Sequence, residues 1–190
     1  MSHAATRRGM LRHLPVVCLL ALSALQASAQ DAWQSITPGT VVLFRHALAP
    51  GGGDPAGFQL NDCRTQRNLS ADGQTQARRI GAAFQQRGIE VNTVWSSQWC
   101  RTRETADLAF PGKRVDQPLF NSFFGTPAQG AMQTQAALDL LASRKAQGVM
   151  VIVTHQVNIT ALTGVVPDSG EGVVVALRGR ELKVLGRVKP

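Results

Sequence analysis

Thr40-Val41-Val42-Leu43-Phe44 is an apolar run that stops abruptly at Arg45 and His46, the pattern of a strand buried on both faces. Val149 to Thr154 repeats it, without a single charge, and stops at His155. Val91 to Trp95 reads as a third strand and runs into Ser96-Ser97. Between these runs the apolar period changes. Ala77, Ile80, Ala83 and Phe84 recur at helical spacing behind Ser70 as N-cap, and Gly88 stops that helix. A second helix passes through Ala106, Leu108 and Phe110 and breaks at Pro111-Gly112. A third, from about Met132 to Ala146, carries Ala136, Leu138, Leu140 and Leu141. A short helix over 158–162 and two β-rich segments, 173–177 and 182–185, complete the pattern. Ala49 to Asn68 reads as a long polar loop opened by Pro50-Gly51-Gly52-Gly53-Asp54-Pro55, and 111–130 reads as irregular.

Strands alternating with helices predict an α/β three-layer sandwich around a mostly parallel sheet. Ligands of such sheets bind beyond the carboxyl ends of the strands. That rule collects Arg45, His46, the segment from Ser96 to Arg101, and His155 at one edge.

The first residues follow a different logic. Arg7, Arg8 and Arg12 precede an apolar stretch from Leu14 to Leu25, and Ala27-Ser28-Ala29 follows. This is the layout of a secretory signal peptide over 1–29, cleaved after Ala29. The competing reading is an uncleaved anchor, but the apolar run is short of the ~20 residues that span a bilayer. Cleavage leaves one domain, 30–190, with a net charge of +5 from 17 basic and 12 acidic residues of the 20 and 12 in the whole chain. Export predicts a periplasmic or secreted protein with no stable membrane anchor. The arginines are scattered and Tyr is absent, which argues against nucleic acid. An anionic small molecule or glycan suits the charge. Cys63 and Cys100 remain after cleavage, and an even count in an exported chain points to one disulfide, with two buried thiols as the alternative. No metal-ligand spacing is present, and no cofactor is implied.

His46 and His155 are the only histidines left after cleavage, each at a predicted strand end. One such imidazole is commonly structural. Two at equivalent edges, one behind an arginine, suit a phosphoryl group, whose charge must be met by preorganised donors. Leu43-Phe44-Arg45-His46-Ala47 resembles the Arg-His-Gly signature of the histidine phosphatase superfamily. Asn68-Leu69-Ser70-Ala71-Asp72-Gly73 resembles its first helix start, and Ser96-Ser97 through Arg101 to Thr105-Ala106 resembles its second. Val153-Thr154-His155 is similar to its second histidine segment. The blocks occur in family order between about residues 40 and 165.

This resemblance implies a phosphoglycerate mutase-like fold of branch 1 and a phosphatase acting through a phosphohistidine on His46. Arg45, Arg101 and His155 would grip the phosphoryl oxygens, and no metal would be needed. Arg67, Gln156 and Asn158 are further substrate-binding candidates, although Asn158 could equally cap its helix, and Arg101 could instead pair with Glu104 or Asp107. Within the superfamily the pattern looks closest to exported bacterial members grouped with lipopolysaccharide-core phosphatases. A phosphorylated small molecule or glycan, including lipopolysaccharide core, is therefore the expected substrate.

Two departures matter. Ala47 stands in place of glycine, a slight narrowing. Between Thr105 and Leu138 there is no glutamate, and Asn121 stands where a general acid is expected. Loss of such an acid typically costs ~10²–10⁴-fold. Asp54, Asp62, Asp116 and Glu171 are the candidate replacements. A non-catalytic phosphate or anionic-glycan binder is the alternative that this gap motivates beside the phosphatase, and a mutase or phosphotransfer enzyme is a third.

Overall fold

The computed structural model describes Met1 and residues 32–144 and 147–190. The targeting segment expected over 1–29 therefore lies outside the described residues, Met1 apart. Six strands form one sheet: β1 (Thr40–Arg45), β2 (Val91–Ser96), β3 (Arg114–Asp116), β4 (Val149–Thr154), β5 (Gly172–Arg178) and β6 (Glu181–Val188). Their spatial order is β3-β2-β4-β1-β5-β6. The first four are mutually parallel, while β5 and β6 run antiparallel as an appended hairpin. The sheet is thus mixed and mostly parallel.

Alternation along each strand sorts the core into two layers. Val42 and Phe44 of β1 and Val149, Val151 and Val153 of β4 face one way. There they meet helix α1 (Ala71–Gln86) and helix α2 (Cys100–Ala109) through Ile80, Phe84, Ala106 and Ala109. Val41, Leu43, Met150 and Ile152 face the other way. They meet helix α3 (Gly130–Ser143) and helix α4 (Gln156–Thr163) through Ala137, Leu141 and Ile159. The result is the expected three-layer sandwich.

Two glycines set how closely these layers approach. A Cβ on Gly73 would lie 2.0 Å from the carbonyl oxygen of Leu48, and one on Gly81 2.1 Å from that of Ala109. The first lets α1 press against the chain leaving β1, beside His46. The second packs α1 on α2. Ser70 caps α1 as expected, accepting from the Gly73 N–H at 3.1 Å. Strand β3 falls inside the stretch expected to be irregular. It is three residues long, at the sheet edge, with Asp116 in register with Ser96. Pairing with β2 makes it a strand, since its own sequence carries no apolar period.

Candidate active site

The sheet register brings the two histidines together. Arg45 lies opposite Thr154 in the β1–β4 pairing, so the next residue of each strand, His46 and His155, leaves the sheet at the same level. The His46 N–H donates to the Thr154 carbonyl at 2.9 Å, and the Ser97 N–H to the Val153 carbonyl at 3.0 Å. The imidazole centroids are 5.6 Å apart. Around them opens a cavity of about 590 Å³, lined among others by Arg45, His46, Asp54, Arg67, Arg101, His155 and Gln156.

His46 is 2 % exposed. Its Nδ1 lies 2.7 Å from the Ala47 carbonyl oxygen, which can only accept, so Nδ1 carries the proton. Nε2 is left with its lone pair. Burial, then the charges of Arg101, Arg67 and Arg45, push the imidazole's pKa down to about 3, against the opposing Ala47 hydrogen bond. The Ala47 N–H donates to the Thr105 hydroxyl at 3.0 Å, which ties the chain after β1 to α2.

His155 is likewise buried, and burial together with the charges of its neighbours pushes its pKa well down. Its Nδ1 faces Arg101 Nη2 at 3.4 Å and Nε2 lies 2.8 Å from the Ser97 hydroxyl. A guanidinium only donates, so Nδ1 is the bare nitrogen and Nε2–H donates to Ser97.

Three guanidinium groups surround the pair. Arg45 donates through Nη1 to the Pro167 carbonyl at 3.0 Å, and its buried Nε has no partner. Arg67 is held by the Gly53 carbonyl at 2.8 Å and by that of Ala49. Arg101, at 3 % side-chain exposure, makes a two-pronged pair with Asp54: Nη1 to Oδ1 at 2.7 Å and Nη2 to Oδ2 at 3.1 Å. Its partner is thus Asp54 and neither Glu104 nor Asp107. Burial raises the Asp54 pKa, but the hydrogen bonds and charge of Arg101, with those from Trp99 and the Arg67 N–H, outweigh it and hold the carboxyl ionised.

The loop carrying Asp54 and Arg67 is fastened to α2. Cys63 is disulfide-bonded to Cys100, Cα to Cα 5.6 Å, one residue before Arg101. The Cys100 N–H donates to Gln66 Oε1 at 3.0 Å beside it.

Gln156 lines the cavity as the first residue of α4, whose positive N-terminal end also faces it. Asn158 does not line it. Its amide donates to the Asn121 carbonyl at 2.9 Å, so it braces the loop after β3, while its buried Oδ1 has no partner. Asn121 is not an acid in waiting. Its Oδ1 accepts from the Gln98 N–H at 2.8 Å and from the Ser97 hydroxyl at 3.3 Å, and so holds the turn between β2 and α2. Of the four candidate carboxylates only Asp54 lines the cavity. Asp62 pairs with Arg64, Asp116 with Arg103 and Arg114, and buried Glu171 with Arg187. Sequence reading missed Trp99, whose Nε1 donates to Asp54 Oδ2 at 2.9 Å and whose rings stand 5.3 Å from His155. Its position one residue before Cys100 was the available signal.

Three guanidiniums beside two neutral imidazoles line one cavity, the fixed positive charge and unprotonated nitrogen that a phosphoryl group would need. Residues 41–119 match the model of the Histidine phosphatase superfamily (branch 1), which supports placing the chain in that superfamily. No curated protein matches the sequence. Among solved structures, the protein histidine phosphatase SixA complexed with tungstate is 16% identical, with a TM-score of 0.53 over 80% of this chain and 97% of that one. YhfR of Bacillus stearothermophilus is 15% identical, with a TM-score of 0.59 over 77% and 95%. Phosphoserine phosphatase of Entamoeba histolytica, in complex with 3-phosphoglyceric acid, is 13% identical, with a TM-score of 0.58 over 80% and 97%. At these identities the likeness is one of fold. The family match covers 41–119, the stretch that carries Arg45, His46 and Arg101.

Proposed function

We propose that the protein is an exported phosphatase that hydrolyses a phosphate monoester through a phosphohistidine on His46. The observation that carries this reading is the state of His46: buried, proton-free at Nε2, and oriented through Nδ1–H to Ala47. A neutral imidazole is a nucleophile, and a covalent intermediate divides one difficult displacement into two. Arg45, Arg101 and Arg67 supply the fixed positive field. An arriving dianion favours a proton on His155 Nδ1, which would let that imidazole donate to a phosphoryl oxygen.

Phe58, Trp99 and Phe124 line the same cavity, and Phe124 is 66% exposed. Flat apolar faces beside an anion hole suit a ring-bearing leaving group, which supports a phosphorylated glycan, lipopolysaccharide core included, as the substrate. The segment 1–29 supports export, and the chain recovered from the cell envelope is expected to begin at Gln30 by intact mass. A cytoplasmic, full-length product would refute the export reading.

Release of inorganic phosphate from phosphorylated core oligosaccharide tests the activity, and His46→Ala is expected to reduce it by roughly 10³-fold or more. Equal release by the variant would refute the mechanism. Binding without any release, from this substrate or from an activated aryl phosphate, would favour the non-catalytic binder. Transfer of phosphate to a second acceptor without its release would favour a mutase.

A further inference from the structure

Among the residues lining the cavity Asp54 is the one carboxylate, and it already sits on the guanidinium that a phosphoryl group needs. All its contacts come from donors around the cavity: Arg101 Nη1 and the Arg67 N–H on Oδ1, Arg101 Nη2 and Trp99 Nε1 on Oδ2. The arrangement is that of an anion held in a fork, with the protein's own side chain as the anion. Asp54 rides on a segment where Gly51 and Gly53 take φ of 92° and 71°, conformations that let this short glycine run turn back into the cavity. Asp62, Asp116 and Glu171 have their own cations elsewhere, and Asn121 has no proton to give.

We propose that Asp54 is the proton donor and acceptor of the reaction, released from Arg101 when the substrate's phosphoryl group takes its place. The proposal rests on the phosphohistidine reading. In the free protein Asp54 is an ionised carboxylate and cannot protonate anything. A phosphate monoester entering the fork removes the guanidinium from Asp54 and sets a dianion beside it. Both changes favour the protonated carboxyl, which takes its proton from solvent. His46 Nε2 then bonds to phosphorus as the bond from phosphorus to the ester oxygen breaks, and that oxygen leaves as an alcohol with the Asp54 proton. In the second step Asp54 takes a proton from water, the water oxygen bonds to phosphorus, and the N–P bond breaks. Phosphate leaves, Asp54 gives its proton to solvent, and the carboxylate returns to Arg101. Its return also helps to expel the product.

Asp54→Asn tests this with two substrates and one inert anion. Leaving-group protonation matters for an alkyl phosphate such as a hexose 6-phosphate and little for 2,4-dinitrophenyl phosphate. The expected loss in kcat/KM is roughly 10²–10⁴-fold for the alkyl ester and far smaller for the aryl ester. The aryl ester should also show a burst of one dinitrophenolate per chain, because the second step loses its base. Orthovanadate should bind the variant several-fold more tightly, since no internal carboxylate competes for Arg101. Equal losses on both esters, or weaker vanadate binding, would overturn the proposal in favour of a purely structural Asp54–Arg101 pair. Asp54→Ser, which removes the amide's own hydrogen bonds, must behave as Asp54→Asn does. Failure of the underlying phosphohistidine reading is separately visible, as activity that survives His46→Ala in the otherwise unaltered protein.

Discussion

His46 is a base that its surroundings keep from binding a proton. The unfolded chain offers this imidazole a pKa near 6.5, whereas the folded chain offers about 3. Between those values the unfolded state binds a proton that the native state refuses, so acid favours unfolding. The contribution is fully present above about pH 6.5 and is lost as the pH falls towards 3. From pH 7 to pH 5 this one histidine should lower stability by about 2 kcal/mol, and His155, shifted the same way, adds to it. Urea melts at the two pH values, compared with His46→Gln, measure it: the variant should lose less stability on acidification than the parent. Equal slopes would mean that His46 titrates normally. Both histidines were legible in the sequence because each follows an unbroken apolar strand. The Asp54–Arg101 pair was not, because 47 residues separate partners that only the folded loop brings together.

At the scale of elements, the site depends on a loop with little apolar content, 49–68, held in place by its attachments. Arg67 ties it to the Gly53 and Ala49 carbonyls, and the Cys63–Cys100 bond ties it to the first residue of α2. The bond closes a sequence separation of 37 residues, for which the chain-entropy argument gives roughly 3–4 kcal/mol. Replacing both cysteines by serine should cost about that much stability. It should also lower kcat/KM, because Asp54 and Arg67 lose their fixed position beside Arg101. The measurement is a denaturant melt paired with kinetics on an activated aryl phosphate, and two free thiols in the unreduced protein would remove the premise. The helices and long strands followed their apolar periods closely. Strand β3 escaped detection because an edge strand of Arg114-Val115-Asp116 draws its order from β2. The sequence leaves Asn158 between a substrate contact and a helix cap, and in the fold its amide instead braces the Asn121 carbonyl; a polar residue at a helix start has the same sequence signature in each role.

At the scale of the molecule, parallel order places the carboxyl ends of β1, β2 and β4 side by side, and each delivers part of the site. The chain leaves β1 as His46, β4 as His155, and β2 as the turn that starts α2 and aims Arg101. That convergence could be read from strand–helix alternation alone, since in such sheets the functional edge is fixed by topology. The depth of the cavity, its aromatic wall and its internal carboxylate required the folded loops. Rapid acid-free quenching of the protein during turnover of an aryl phosphate, followed by peptide mass spectrometry, measures the central chemistry most directly. A phosphoryl group is expected on His46 Nε2 during turnover, approaching one per chain in Asp54→Asn and absent from His46→Ala. Sustained turnover with no phosphate on His46, or with the label on another residue, would contradict the account.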